Sequence, residues 1–261
     1  MSKIALFGAN GTIGSRILDE ALRRGHQVTA VVRDPAKITK TDPNLTVTTG
    51  DVLDPASVTA VAEGQDAVIS AVGGGDGPGH VATIKPAAES LVAGLRALGA
   101  SAPRLIAVGG AGSLRTPDGK QVWDAEGLPE FLLQIMHAHG DALDFYRTVT
   151  DVRWTNLSPA AVIEPGERTG TYRTAQDDLI TAPDGTSRIS AEDYAVALLD
   201  ELETPTTSTN ASPSPTDPHR AHHPPRRRPR ALLPLPLPSP WQAVRVVRAA
   251  RGRARCDHTR D

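Results

Sequence analysis

The chain has 261 residues, enough for one large α/β domain or two small ones, and its net charge of −2 averages two unlike parts. From Thr204 onward stand 11 Arg, no Lys and 3 Asp; the residues before it hold the other 17 basic and 27 acidic side chains, an acidic body with no general preference for nucleic acid. A single cysteine, Cys256, excludes an intrachain disulfide, and without an apolar run of about 18 residues or a signal peptide the expectation is a cytoplasmic protein that spans no membrane.

The first element is an apolar run, Ile4 to Phe7, of strand length. Gly8, Gly11 and Gly14 then punctuate a turn, and a helical pattern of Ile13, Ile17, Leu18, Ala21 and Leu22 begins at once. A buried strand, a glycine turn and a helix whose N-terminal amides face that turn together make a phosphate-binding site, so Gly8, Asn10, Gly11, Thr12, Ile13 and Gly14 are candidate dinucleotide contacts. The spacing is G-x-x-G-x-x-G, and its place between strand and helix is the context such a motif needs.

Gln27 to Val32 reads as a second strand and ends at Arg33, about twenty residues past the turn, where this kind of fold reads the adenosine ribose. Arg33 is first in line and Asp34 second. A guanidinium fork suits a 2′-phosphate, which favours NADP(H), with NAD(H) as second choice. Leu45 to Thr49 is a third strand, closed by Gly50-Asp51, and Asp54 caps a short helix that starts at Pro55. Ala67 to Val72 is a fourth strand ending in Gly73-Gly74-Gly75. Its position assigns Asp51 and Val52 to the adenine, and Ala71 and Gly73 to the ribose and pyrophosphate. A helix over about 80–98 and a fifth strand, Leu105 to Val108, lead into Gly109-Gly110-Ala111-Gly112-Ser113. Strands alternating with helices predict a Rossmann-like, doubly wound parallel sheet.

Beyond it, a helical stretch over about 130–142 precedes a sixth strand, Val152 to Leu157, and Ser158-Pro159-Ala160. Residues 165–189 read as short strands and turns over the crevice, so about 152–203 forms a small C-terminal lobe on the substrate side. Ser190 and Asp193 resemble a capping box opening a last helix that closes the domain near Glu203.

From Thr204 the composition changes. Eleven of the 22 prolines lie between Pro205 and Pro240, beside His222-His223 and Arg226-Arg227-Arg228, and such a segment buries too little apolar surface to fold. Residues 204–261 are therefore expected to be a disordered tail. Taken at face value it is a basic arm for nucleic acid or for aromatic grooves. A generic back-translation of Thr204 to Asp217, read two bases later, permits Pro-His-His-Leu-His-Gln-Arg-Phe-Thr-Val-Ala-Tyr followed by a stop. That strand-like ending points to a frameshifted terminus.

All five lysines, of which Lys120 is the last, precede the first tyrosine, Tyr146, so the Tyr-x-x-x-Lys pair of common short-chain dehydrogenases is excluded. Ser113 is the candidate catalytic residue, able to hydrogen-bond a substrate oxygen or the nicotinamide carboxamide, or else merely to cap its loop. Tyr146, Tyr172 and Tyr194 are alternative proton donors or packing residues. His137 and His139 stand two apart on a helix and face different ways, which argues against a metal site.

Gly8-Ala9-Asn10-Gly11-Thr12-Ile13-Gly14, Val32-Arg33, Gly50-Asp51, the VGGAGSL run from Val108 to Leu114 and WTNLSPAAVIEPGERTG from Trp154 resemble the atypical short-chain reductases. These are the NAD(P)H-binding proteins related to NmrA-like regulators and to flavin/biliverdin reductase B. The resemblance covers about 3–203 and includes the ISAEDYAVALLDELE ending. It implies hydride transfer from NADPH to a small acceptor such as a flavin or quinone, which can take its proton from water. The nicotinamide would lie beside Ser113 and Pro159-Ala160. The alternatives are a non-catalytic dinucleotide sensor and an epimerase- or dehydratase-like enzyme. Members end with a short strand near Arg-Phe-Thr-Val-x-Tyr, which the shifted frame offers.

Overall fold

A computed structural model describes residues 1–175 and 177–205 and the backbone of 243–248. Its centre is the parallel sheet anticipated from the alternation of elements: β1 (Lys3–Phe7), β2 (Gln27–Val32), β3 (Leu45–Thr49), β4 (Ala67–Ser70), β5 (Arg104–Val108) and β6 (Trp154–Pro159), in the spatial order β3-β2-β1-β4-β5-β6. The chain winds outward from β1 to β3, returns to place β4 on the other side of β1, and winds outward again. The crevice between the carboxyl ends of β1 and β4 is the switch point at which doubly wound sheets bind ligands.

Five helices cover the two faces: α1 (Thr12–Arg23), α2 (Pro55–Ala62), α3 (Gly77–Ala97), α4 (Glu130–Thr148) and α5 (Ala191–Glu203). Strand periodicity sorts the core between them. On β1, Ile4 and Leu6 point to the face packed by Ile17, Leu18, Tyr194 and Leu198 of α1 and α5, while Ala5 and Phe7 point to the face packed by Leu91 and Leu95 of α3 and Leu143 of α4. Both faces are covered, so these strands are nearly continuous apolar runs.

Several boundaries differ from expectation. The α3 helix starts at Gly77, because Gly77-Pro78-Gly79, which reads as a loop, is a capped helix start. The Asp76 carboxylate accepts from Gly79 N–H at 2.7 Å, and Pro78 stands in the first turn, where its missing N–H costs nothing. The α4 helix runs on to Thr148, and β6 continues to Pro159. Of the capping box at α5, the Ser190 hydroxyl does accept from Asp193 N–H at 3.0 Å. The buried Asp193 carboxylate turns instead to the Thr169 hydroxyl at 2.6 Å and Gly170 N–H at 2.7 Å, tying the lobe to the helix start.

The lobe contains β7 (Val162–Glu164), β8 (Arg173–Ala175) and β9 (Arg188–Ser190), with β7 and β9 paired parallel. Within the tail, β10 (Ala243–Arg248) forms a strand where composition predicts none. It lies antiparallel to β6 and parallel to β8. Its sequence, AVRVVR, is rich in β-branched valine, and the β6 edge offers it a ladder of unpaired backbone groups. The other tail residues, with the proline-rich run and Arg226-Arg227-Arg228, lie outside the described residues.

Candidate functional site

A cavity of about 710 Å³ opens along the carboxyl ends of the central strands. Its base is the glycine turn. Gly8 has φ +80°, and a Cβ there would stand 2.5 Å from the Ala71 carbonyl oxygen, so only glycine lets β1 end against the strand beside it. Gly11 N–H donates to the Gly8 carbonyl at 3.0 Å and closes the turn. Gly14 does not line the cavity. A Cβ on it would stand 2.0 Å from the Gly8 oxygen, so its role is to let α1 pack on the turn.

The α1 helix begins without a side-chain cap and without an acidic residue in its first turn. Its first amides thus have neither a capping partner nor a competing anion from the helix itself, and Asn10, Gly11, Thr12 and Ile13 line the cavity there. An uncapped helix start above a glycine cradle fits a pyrophosphate.

Along the adenosine side, Arg33, Asp51 and Val52 also line the cavity. Asp34 does not; its carboxylate accepts from Ala36 N–H at 3.1 Å and caps a short turn, which leaves Arg33 as the group at the end of β2. The Asp51 carboxylate accepts from Leu53 N–H at 2.9 Å. Ala71 and Gly73 line the middle, and Pro159 and Ala160 the far end, joined by Ala161 and Ile163 of the lobe.

The candidate catalytic residue, Ser113, is the exception. It is half-buried in the turn after β5 and is not among the cavity-lining residues; its carbonyl accepts from Gln121 Nε2 at 3.5 Å. None of the tyrosines replaces it. The Tyr194 hydroxyl donates to the Leu157 carbonyl at 2.5 Å, the Tyr172 hydroxyl donates to Asp200 at 2.6 Å, and Tyr146 is buried and stacked on Trp154. Burial holds all three above the ordinary tyrosine range.

Two histidines absent from the sequence-level site line this end instead. His139 projects from α4, and its ring lies over Gly110, where a Cβ would meet the His139 Cβ at 2.8 Å. His80 enters from the first turn of α3, brought close because Gly74 and Gly79 let two backbones touch; a Cβ on Gly74 would stand 1.9 Å from His80 N. The two rings are 5.8 Å apart, tilted by 52°. Burial, and secondarily the His80 charge, push the His139 imidazole down to about 4. His137 faces away, as its two-residue offset requires, and stacks on Trp123 at 4.7 Å. Leu132, Ile135 and Met136 continue the apolar wall on the same face of α4 as His139, against the small-residue strip Gly109-Gly110-Ala111-Gly112, where a Cβ on Gly112 would stand 2.6 Å from the Met136 Cβ. The spacing 132, 135, 136, 139 was a legible signal, since it marks one helix face, but only packing shows that this face borders the crevice.

Sheet order, glycine cradle and bare helix start together define a Rossmann-like dinucleotide-binding protein. A profile of the NAD(P)H-binding family matches residues 8–205, and the chain belongs to that family. The Bacillus subtilis (strain 168) protein YwnB, itself uncharacterized, is 38% identical over 207 residues, which cover 78% of this chain and 93% of YwnB. Among solved structures, a Bacteroides thetaiotaomicron protein provisionally called an epimerase is 42% identical with a TM-score of 0.71, covering 78% of this chain and 92% of the other. A Streptococcus pneumoniae TIGR4 protein provisionally called an NADH-flavin reductase is 33% identical with a TM-score of 0.68, covering 78% and 93%. The cofactor is thus a nicotinamide dinucleotide, and among the described residues no helix is long and apolar enough to cross a membrane.

Proposed function

We propose that this chain is an NADPH-dependent reductase of a small planar acceptor, a flavin or a quinone. One observation carries the reading: a single cavity joins the dinucleotide cradle to an apolar end where Leu132, Ile135 and Met136 of α4 face the glycine floor, Gly109 to Gly112. A small apolar acceptor suits that end, and a sensor would have no need of it.

In this reading the amides of Thr12 and Ile13 hold the pyrophosphate, with Gly8, Gly11 and Gly14 shaping the turn and Asn10 bordering it. Arg33 pairs with the 2′-phosphate, Asp51 and Val52 border the adenine, and Ala71 and Gly73 border the ribose. Pro159 and Ala160 back the nicotinamide, which when bound supplies a hydride. The chain's own contribution is to hold donor and acceptor rings in contact and to keep water out from between them.

Calorimetric titration with NADPH and NADH tests the cofactor half. Arg33→Ala is expected to weaken NADPH binding roughly 10- to 100-fold, the worth of one charge-assisted contact, and to leave NADH binding nearly unchanged. Equal losses for both would remove the 2′-phosphate from the reading. Stopped-flow oxidation of NADPH with flavins and quinones tests the rest; tight binding without turnover on any acceptor would favour a dinucleotide sensor.

A further inference from the structure

We propose that one buried water, held by Ser70, Tyr146 and Asn156 behind His139, fixes the tautomer of that ring and turns its N–H toward the large cavity, where it hydrogen-bonds a carbonyl oxygen of the acceptor. The water site stands by itself. The acceptor contact rests on the reductase reading and narrows its substrate class to carbonyl compounds.

The site is a second, small cavity of about 10 Å³ between the sheet and the helices α3 and α4, room for one water centre. Ser70 ends β4, Asn156 lies within β6, and His139 and Tyr146 stand seven residues apart on one face of α4. Ala88 and Ala142 complete the wall, and their short side chains leave the space. A wholly apolar cavity of this size stays dry, whereas two hydroxyls, an amide and an imidazole around one suit a water.

These groups have no other partners that would compete. Ser70, Tyr146 and Asn156 are 5%, 3% and 2% exposed. Burial alone holds the Tyr146 hydroxyl above the ordinary tyrosine range, while Tyr172 and Tyr194 both donate a hydrogen bond. The Ser70 hydroxyl also has no hydrogen-bonding partner among the described residues. Asn156 Oδ1 accepts from the Ser158 hydroxyl at 3.5 Å, which leaves the hydrogens on Asn156 Nδ2 to be satisfied. Leaving so many buried polar groups unmade is costly, and a single water answers several of them at once.

The direction of the bonds follows from the donor types. An amide nitrogen only donates, so Asn156 takes one lone pair of the water and leaves the water's hydrogens for acceptors, the imidazole lone pair among them. His139 borders both cavities, with the water on one side and the acceptor end on the other. Its water-side nitrogen is then the acceptor, and the other nitrogen of the neutral ring carries the hydrogen. His80 does not take that N–H, since the ring centroids are 5.8 Å apart and no hydrogen bond joins them. The apolar end near Leu132, Ile135 and Met136 thus holds one fixed donor, which suits an uncharged molecule with a carbonyl oxygen. The ring keeps its hydrogen throughout; it orients the acceptor and transfers nothing.

Three measurements on the full-length chain test this. In urea unfolding, Tyr146→Phe should lower the folding equilibrium constant about tenfold, because it removes a hydroxyl bonded to water. In a dry cavity the same change removes an unpaired hydroxyl, so a neutral or stabilising result overturns the water site. Nitrogen-15 NMR at pH 7 should find His139 in one neutral tautomer, and in a mixture of both in Asn156→Leu; a mixture in the wild type overturns the fixed donor. With NADPH and a naphthoquinone, His139→Leu should lower kcat/KM about tenfold, mainly through KM. His139→Gln, whose side-chain amide restores an N–H, should recover most of that loss, with NADPH affinity kept in both variants. Equal losses in the two variants, or none in His139→Leu, overturn the acceptor contact. A wild-type chain that reduces no acceptor overturns the reductase reading and that contact together, and the first two measurements then decide the water site.

Discussion

His139, in the wall of the cavity, makes the stability of the chain depend on pH. Its ordinary value is 6.5, and in the folded chain burial and then His80 bring it to about 4. Between those pH values the unfolded chain binds a proton that the folded chain refuses. The contribution of this group is therefore fully present above pH 6.5 and is lost as pH falls toward 4. Its size is on the order of 2 kcal/mol, allowing for the ring edge that the cavity keeps hydrated. Urea midpoints measured across this window should drop steeply for the wild type and more gently for His139→Gln. Parallel curves would mean that the imidazole charges in place. The reason a residue so costly to protonate is tolerated lies in Gly110, whose missing side chain is the space that the ring occupies.

The last helix, α5, shapes the site without touching it. Tyr194 is wholly buried, and its hydroxyl donates to the Leu157 carbonyl, which also accepts from Gly109 N–H at 2.8 Å. One carbonyl thus joins α5, β6 and the first residue of the glycine floor. Tyr194→Phe removes that hydrogen bond with little change of volume and should cost about 1–2 kcal/mol in urea unfolding. Because Gly109 keeps only part of its anchor, a several-fold rise in the KM for the acceptor should accompany the loss. A stability change with unaltered KM would confine Tyr194 to packing. The same helix is held to α1 by charge: Arg24 pairs with Asp200 and Glu203, both at 2.8 Å, and with the buried Glu20 at 2.7 Å, which Arg168 of the lobe also reaches at 2.9 Å. Removing Glu20 would leave several cations facing a vacated site, so its worth lies in the network rather than in any single surface pair.

At the scale of the molecule, β6 is the weak boundary. All six of its residues are buried, and in this structure β10 covers its outer edge. A chain ending at Thr204 would expose that edge and should melt several degrees lower and self-associate, as unprotected edge strands do. Appending the twelve residues of the shifted reading frame to the shortened chain should restore the midpoint to or above that of the full-length protein. If the appended ending restores nothing, a frameshifted terminus loses its structural support. NADPH binding should weaken less than stability does, because the pyrophosphate cradle lies between β1 and β4 and only the nicotinamide end, at Pro159, touches this edge.

The glycine cradle, the alternation of strands with helices and the place of Arg33 were legible in the amino-acid sequence because each depends on local geometry. A turn that needs φ > 0, a helix that starts without a cap and a strand of set length leave their marks within a few residues. The capped start at Asp76 escaped because Gly-Pro-Gly carries the marks of a loop, and helix signals there are outweighed by breakers. Ser113 follows β5, where this kind of fold places site residues, and it does not line the cavity. The meeting of His80 with His139 was decided only by tertiary structure. It requires α3 and α4 to pack side by side, Gly74 to accept the start of α3 and Gly110 to make room for the ring of α4. These are contacts between segments far apart in the chain, and close packing rather than local preference sets them.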